Sequence, residues 1–87
     1  MGQQTIGLLS LSFEGNNIGD KGAEAIAALI QTKNDATKNL KMVNLNECNI
    51  ENDGFSKLKQ ALVARGKLAR EFNLTHIGIK VERNNFD

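Results

Sequence analysis

The chain has 87 residues, of which 40% are hydrophobic and 24% charged, a composition typical of a soluble globular domain. Eleven Lys and Arg against ten Asp and Glu leave a formal charge of +1, so no basic excess argues for nucleic acid or a membrane surface as partner. No apolar run approaches the roughly 18 residues of a membrane span. The single cysteine cannot form an internal disulfide, and it fits a cytoplasmic protein.

An apolar pattern near the start of the chain recurs in register. The first copy is Leu8-x-x-Leu11-x-Phe13-x-x-Asn16-x-Ile18, and the second is Leu40-x-x-Val43-x-Leu45-x-x-Cys48-x-Ile50. The shift of 32 positions that relates Leu8 to Leu40 also relates further pairs, namely Gly22 and Gly54, Ile26 and Leu58, and Ile30 and Leu62. Strand, turn and helix positions therefore repeat together, which predicts two copies of one structural unit.

The first copy predicts a strand followed by a helix. Leu11 and Phe13 alternate with polar residues, as in a short strand with one buried face. Asp20 stands where a helix N-cap is needed, because its carboxylate can accept free backbone N–H groups. A helical apolar stripe then follows, formed by Ala25, Ile26, Leu29 and Ile30. The polar stretch Thr32–Asn39 is predicted to be a loop.

The second copy repeats this order. Val43 and Leu45 predict the strand, and Asn52 is the predicted helix N-cap. The apolar stripe of the second helix consists of Phe55, Leu58, Ala61 and Leu62. Gly66 suits a helix end because it tolerates a left-handed backbone, but a helix that continues through residues 67–71 fits the sequence equally well.

A partial third copy of the pattern lies in the last residues of the sequence. Ile79-x-Val81-x-x-Asn84-x-Phe86 matches the strand and asparagine positions, with His76 in the first position. The shift from Leu40 to His76 is 36, four more than between the first two copies. We predict a third strand that ends at Asp87 without a following helix. The chain is thus read as one domain over 1–87, with repeats at about 6–37 and 38–73 and a partial repeat at 74–87.

Both full copies fit the signature L-x-x-L-x-L-x-x-N/C-x-L of leucine-rich repeats. The alternation of Asn16, Cys48 and Asn84, together with the run from Asn16 to Ala23, resembles the ribonuclease-inhibitor-like subtype. The resemblance implies an α/β fold, a short leucine-rich repeat solenoid of about two and a half repeats. In such a solenoid, parallel strands lie on the concave side and helices on the convex side.

The resemblance further implies that a partner protein binds the concave strands and adjoining loops. Because strand residues alternate between faces, the residues between the apolar ones point away from the core. The candidate partner-binding residues are Ser10, Ser12, Glu14, Met42, Asn44, Asn46, Glu47, Lys80, Glu82 and Arg83, with Gly78 on the same face. The alternative is a plain solvated sheet face. Asn16, Cys48 and Asn84 are expected to act as structural donors inside the repeat turns.

Catalytic and metal chemistry find no support in the sequence. The only cysteine is expected to point inward, one repeat away from His76, the only histidine, so a nucleophile–base pair is not expected. A second cysteine is missing, which argues against a zinc cluster. The glycines of 15–19 lack the Gly-Lys-Ser/Thr ending of a phosphate-binding loop. We therefore expect no catalytic residue, no metal and no cofactor.

Our first functional expectation is a protein–protein interaction module without enzymatic activity. One alternative is the recognition segment of a larger enzyme or bacterial effector whose catalytic part lies outside this chain, in which case the host cytosol would be its location. Another is a regulator of a small GTPase. Because the third repeat lacks a helix, an exposed apolar end is expected there. Either the chain is part of a longer array, or it forms a homo-oligomer through this C-terminal end.

Overall fold

The computed structural model describes residues 10–32 and 37–85. In chain order, its elements are β1 (Ser10–Ser12), α1 (Gly19–Ile30), β2 (Met42–Asn44), α2 (Asn52–Phe72) and β3 (Gly78–Lys80). The chain is a mixed α/β protein with a small parallel sheet in the order β1-β2-β3. Across the described residues, neither helix is both long and apolar enough to cross a membrane. Leu8, Phe86, Asp87 and positions 33–36 of the predicted loop lie outside the described residues.

The strands pair in the register that the repeat shifts predict. Leu11 lies opposite Val43, which lies opposite Ile79. These separations are the predicted 32 and 36 positions, so the extra four residues before the third copy do not alter the strand alignment. Each strand has only three residues, because the backbone turns immediately after the two central pattern positions.

The core lies between the sheet and the two helices. Val43 and Leu45 are fully buried, and Leu11 and Ile79 pack against the same cluster from the neighbouring strands. The buried cluster consists of Ala23, Ile26, Ala27, Ile30, Leu40, Val43, Leu45, Cys48, Ile50, Leu58 and Ala61. The described apolar pattern positions of both full repeats therefore meet in one core.

The buried stripe of α1 differs from the predicted one. Ala23 and Ala27 are buried, whereas Ala25 is exposed and Leu29 is half-buried. The reason is that α2 packs beside α1, where small side chains let two helices approach closely. A Cβ atom added to Gly54 of α2 would lie 3.1 Å from the Ala23 Cβ. Hydrophobic periodicity alone cannot show which side of a helix a later element will cover.

The N-cap assignments of Asp20 and Asn52 are wrong. The residues preceding the two helices are Ile18 and Glu51, and neither position has a side-chain capping bond. The Asp20 carboxylate instead accepts the backbone N–H of Glu51 at 2.7 Å, at the start of α2. Asp20 thus satisfies a free N–H group of the next repeat's helix, a contact that exists only once the repeats are stacked.

The second helix continues through Gly66 and ends at Phe72. Nothing lies within 4 Å of a Cβ added at Gly66, so this glycine reflects neither a tight contact nor a turn. The left-handed residue is Asn73, with φ 57°, and its backbone N–H donates to the Ala69 carbonyl. Asn is the residue that most readily replaces Gly at such a helix end.

The third strand is shorter than predicted. It ends at Lys80, and a turn follows at Glu82 and Arg83. This turn repeats those after β1 and β2, because the backbone N–H of Glu47 donates to the Glu82 carbonyl just as that of Gly15 donates to the Asn46 carbonyl. The third copy therefore reproduces the strand and the turn of the repeat.

Candidate functional site

Six residues of the three strands lie side by side on the sheet surface that faces away from the core. We call this surface the polar sheet face, and its residues are Ser10, Ser12, Met42, Asn44, Gly78 and Lys80. The four residues on the outer strands are exposed, and the two on β2 are partly buried between them. Parallel register aligns them in two rows, one of which runs from Ser12 through Asn44 to Lys80.

Charged side chains from the three turns form a rim at the carboxyl end of this face. Arg83 hydrogen-bonds Glu47 and lies 3.4 Å from the Glu14 carboxylate. The Asn44 amide of the polar sheet face donates to the other Glu14 oxygen at 3.0 Å. The hydrogen bond with Glu47 raises the pKa of the Arg83 guanidinium, and nearby carboxylates including Glu82 add to this effect. The rim, consisting of Glu14, Glu47, Glu82 and Arg83, joins all three repeats.

Two rim residues, Glu47 and Arg83, have a left-handed backbone conformation. Gly15, Glu47 and Arg83 occupy the same position of successive turns and have φ values of 81°, 55° and 57°. A left-handed backbone is unfavourable for residues with a Cβ, by about 1–2 kcal/mol. Glu47 and Arg83 nevertheless adopt it, and their side chains pair with each other.

Asn46 does not lie on the polar sheet face, which corrects its predicted outward position. Its residue surface is only 6% exposed, and its side-chain oxygen accepts the Glu82 backbone N–H at 2.7 Å. Its own N–H donates to the Asn44 side-chain oxygen at 3.0 Å. Strand alternation placed Asn46 outside, but β2 ends at Asn44 and the turn directs the Asn46 amide toward the third repeat.

The turn residues Asn16, Cys48 and Asn84 hydrogen-bond to backbone groups. Asn84 makes the most bonds, because its NH2 group donates to the Leu45 and Val81 carbonyls at 2.8 and 2.9 Å. Its oxygen accepts the N–H groups of Cys48 and Ile50, both at 2.9 Å. The Cys48 thiol is fully buried, and it donates to the carbonyl of Phe13 at 3.0 Å. The contacts of Cys48 and Asn84 tie the second and third turns to the preceding repeat, whereas Asn16 bonds carbonyls within its own turn.

The Cys48 thiol makes the fold sensitive to alkaline pH. Burial raises the pKa of this thiol, so the thiolate forms more readily in the unfolded chain than in the folded one. The contribution of the buried thiol to the free energy of unfolding is fully present below the pKa that Cys48 has in the unfolded chain. It is lost as pH rises toward the higher pKa that Cys48 has in the folded protein. We expect the free energy of unfolding, measured with urea, to fall more between pH 7 and pH 10 in the wild type than in Cys48→Ala. Equal losses in both proteins would contradict this expectation.

Arg65 is a structural residue that the sequence did not reveal. It is 1% exposed, lies on α2, and donates to the carbonyls of Thr37 at 2.7 Å, Thr75 at 3.2 Å and Ile30 at 3.4 Å. These carbonyls belong to the end of α1, the segment before β2 and the segment before β3. Burial lowers the pKa of the Arg65 guanidinium, although arginine remains charged at neutral pH. An arginine on an amphipathic helix gives no sequence signal of this role.

An asparagine ladder runs along the outer side of the turns. The Asn49 amide donates to the side-chain oxygen of Asn17 at 2.9 Å, and the Asn85 amide donates to that of Asn49. These residues directly follow the three turn residues, at the same shifts of 32 and 36 positions. The sequence contained this signal, because the pairs Asn16-Asn17 and Asn84-Asn85 recur in register.

The described residues contain no cluster of side chains that could bind a metal ion. Over 10–32 and 37–85, no group of three or more His, Cys, Asp and Glu side chains is arranged to hold a metal ion. His76 is exposed, whereas Cys48 is fully buried. The polar sheet face and the rim are the part of the exposed polar surface to which all three strands and turns contribute.

In a comparison with known proteins, one segment of the chain matches a known family. Residues 8–27 match a family model described as Leucine Rich repeat, which covers β1, the first turn and part of α1. This segment is a leucine-rich repeat, a kind of unit that commonly serves protein interaction and is generally non-catalytic. No curated protein and no solved structure matches the chain.

Proposed function

We propose that this chain binds another protein through the polar sheet face and the rim, which would form the concave side of a short ribonuclease-inhibitor-like solenoid. The register of the three strands carries the proposal. It aligns exposed serine and lysine side chains with the partly buried Asn44, so that three repeats contribute to one surface that the core does not use. Leucine-rich repeats commonly act as interaction modules, which supports the same reading.

The rim supports a polar and salt-dependent mode of binding. Its three carboxylates outnumber its one guanidinium, so a partner with exposed Lys or Arg side chains fits it best. Glu14 and Glu47 are already held by Arg83 and Asn44, which reduces the side-chain entropy lost on binding. The polar sheet face lacks aromatic side chains, and strong interfaces usually centre on Trp, Tyr or Arg. We therefore expect moderate affinity that falls as salt increases.

A charge variant with a matched control tests the proposal. The face variant carries Ser10→Lys and Ser12→Lys, which add positive charges that repel a basic partner, and it spares Asn44, whose amide the fold itself uses. The control adds the same two charges at exposed positions of α2, namely Ser56→Lys and Gln60→Lys.

Each tagged protein is used to capture partners from a lysate of the source organism, and captured proteins are quantified by mass spectrometry. We expect the face variant to lose a partner that the wild type and the control retain, by roughly tenfold, which corresponds to about 1.4 kcal/mol of binding free energy. Circular dichroism and urea midpoints establish that all three proteins are folded. Equal recovery of every partner by the face variant and the control would refute the assigned surface.

A further inference from the structure

Positive charge is concentrated at one edge of the protein, where the segment before β2 meets the last part of α2. Segments 37–41 and 63–77 contain five cationic side chains and one carboxylate. The cations are Lys38, Lys41, Arg65, Lys67 and Arg70. The turns and helix starts, in segments 13–24, 45–57 and 81–85, contain seven carboxylates and three cations. The formal charge of +1 therefore combines a basic region with an acidic one.

Backbone hydrogen bonds hold the two basic segments side by side. The N–H of Thr75 donates to the Lys38 carbonyl at 2.8 Å, and the N–H of Gly78 donates to the Lys41 carbonyl at 2.8 Å. The buried guanidinium of Arg65 donates to the Thr75 carbonyl at 3.2 Å, which fixes the end of α2 against the same place. Cations that are distant in the chain therefore share one edge of the fold.

The exposed cations at this edge are not used by the fold. We call them the basic edge, and they are Lys38, Lys41, Lys67 and Arg70. None of the four forms an ion pair with another described residue, whereas Lys57 and Arg83 of the acidic region do. The carboxyl end of α2 attracts Arg70 through its free carbonyl groups. Lys38 and Lys41 lie outside the helices, so this attraction does not explain them.

Exposed apolar side chains accompany the basic edge. Among the described residues, the large hydrophobic side chains that are exposed are Val63, at 66%, and Phe72, at 40%. Both lie on α2, where Val63 precedes Lys67 by one turn and Phe72 follows Arg70 by two positions. Cations attract a partner of opposite charge, and apolar side chains add affinity when the partner covers them.

We propose that the basic edge binds an acidic segment of a partner protein, in which Asp or Glu residues are interspersed with apolar ones. This surface is separate from the polar sheet face and the rim, which favour a basic partner. A short peptide fits the charge pattern better than a nucleic acid or a membrane, because an extended polyanion would also meet the seven carboxylates of the acidic region. With both surfaces, one chain joins an acidic partner to a basic one.

Fluorescence anisotropy of a labelled peptide, titrated with the full chain, tests this surface. The peptide consists of repeated Glu-Glu-Leu units and is about nine residues long, or roughly 30 Å when extended. We expect saturable binding that weakens as salt increases. The edge variant, Lys67→Glu with Arg70→Glu, is expected to weaken it by about tenfold. The matched control is Lys21→Glu with Lys59→Glu, an equal charge change at exposed positions in other parts of the helices.

Further measurements separate this surface from the polar sheet face. The variant with Ser10→Lys and Ser12→Lys should bind the peptide at least as tightly as the wild type, so one surface can fail without the other. A peptide with Gln in place of Glu should not bind, and circular dichroism establishes that every variant is folded. No binding by the wild type, or equal affinities for the edge variant and its control, would overturn the proposal. Tighter binding to single-stranded DNA or phosphatidylserine vesicles than to the peptide would overturn it as well.

Discussion

Arg65→Met is expected to lower the free energy of unfolding by about 2–4 kcal/mol, because it leaves buried carbonyl groups without their charged donor. The guanidinium bonds three segments that are distant in sequence, and methionine can fill its volume but cannot donate. A small domain has roughly 5–15 kcal/mol of stability in total, so this loss is a large fraction of it. Urea denaturation followed by circular dichroism measures the change.

Two other substitutions show whether the bonds or the charge matter. Arg70→Met removes an exposed arginine from the last turn of the same helix and should leave the urea midpoint nearly unchanged. Arg65→Lys keeps the charge but cannot reach three carbonyls with one ammonium, so an intermediate loss is expected. If Arg65→Met were as stable as the wild type, the guanidinium would not be the link between the repeats.

Asn84→Leu is expected to lower the free energy of unfolding by about 2–3 kcal/mol, because it leaves buried N–H and C=O groups of two repeats unsatisfied. Leucine has the same number and branching of side-chain heavy atoms as asparagine and a larger volume, so the substitution leaves no cavity. The lost bonds are those to the Leu45 and Val81 carbonyls and those from the N–H groups of Cys48 and Ile50. The same urea measurement applies, and the polar sheet face should also lose the order of β3.

Asn16 provides a matched control, since it occupies the same repeat position in the first turn. Among the described residues, its side chain bonds the carbonyls of Phe13 and Glu14, within its own turn, and it is exposed. Asn16→Leu should therefore cost about 1 kcal/mol or less. Comparable losses for the two variants would show that the turn alone, and not its contact with the preceding repeat, determines the effect.

The strand register and the turns could be predicted because each repeat contains the residues that form them within a short stretch of sequence. Leu11, Val43 and Ile79 recur with their turn residues at shifts of 32 and 36, and parallel pairing follows when identical units stack. For the same reason Asn84 could be recognised as a turn residue before its bonding partners were known. The matched segment 8–27 agrees with this part of the prediction.

The contacts between repeats could not be predicted in the same way. Asp20 appeared to cap its own helix, yet it bonds Glu51 of the next repeat. Asn46 appeared to face outward, yet its amide is used by the turn of the third repeat. In each case the side chain could satisfy a local or a distant partner equally well in chemical terms, and only stacking determines which one is near.

By itself, the sequence determined that this protein is built from repeating strand–turn–helix units, since apolar periodicity and turn residues act within a few positions of the chain. Only the tertiary structure decided how those units are joined. It placed Arg65 between three segments and assembled the rim from Glu14, Glu47, Glu82 and Arg83. Packing brings together residues that are distant in the chain, up to 69 positions for Glu14 and Arg83, and such proximity is a property of the folded chain and not of any local pattern.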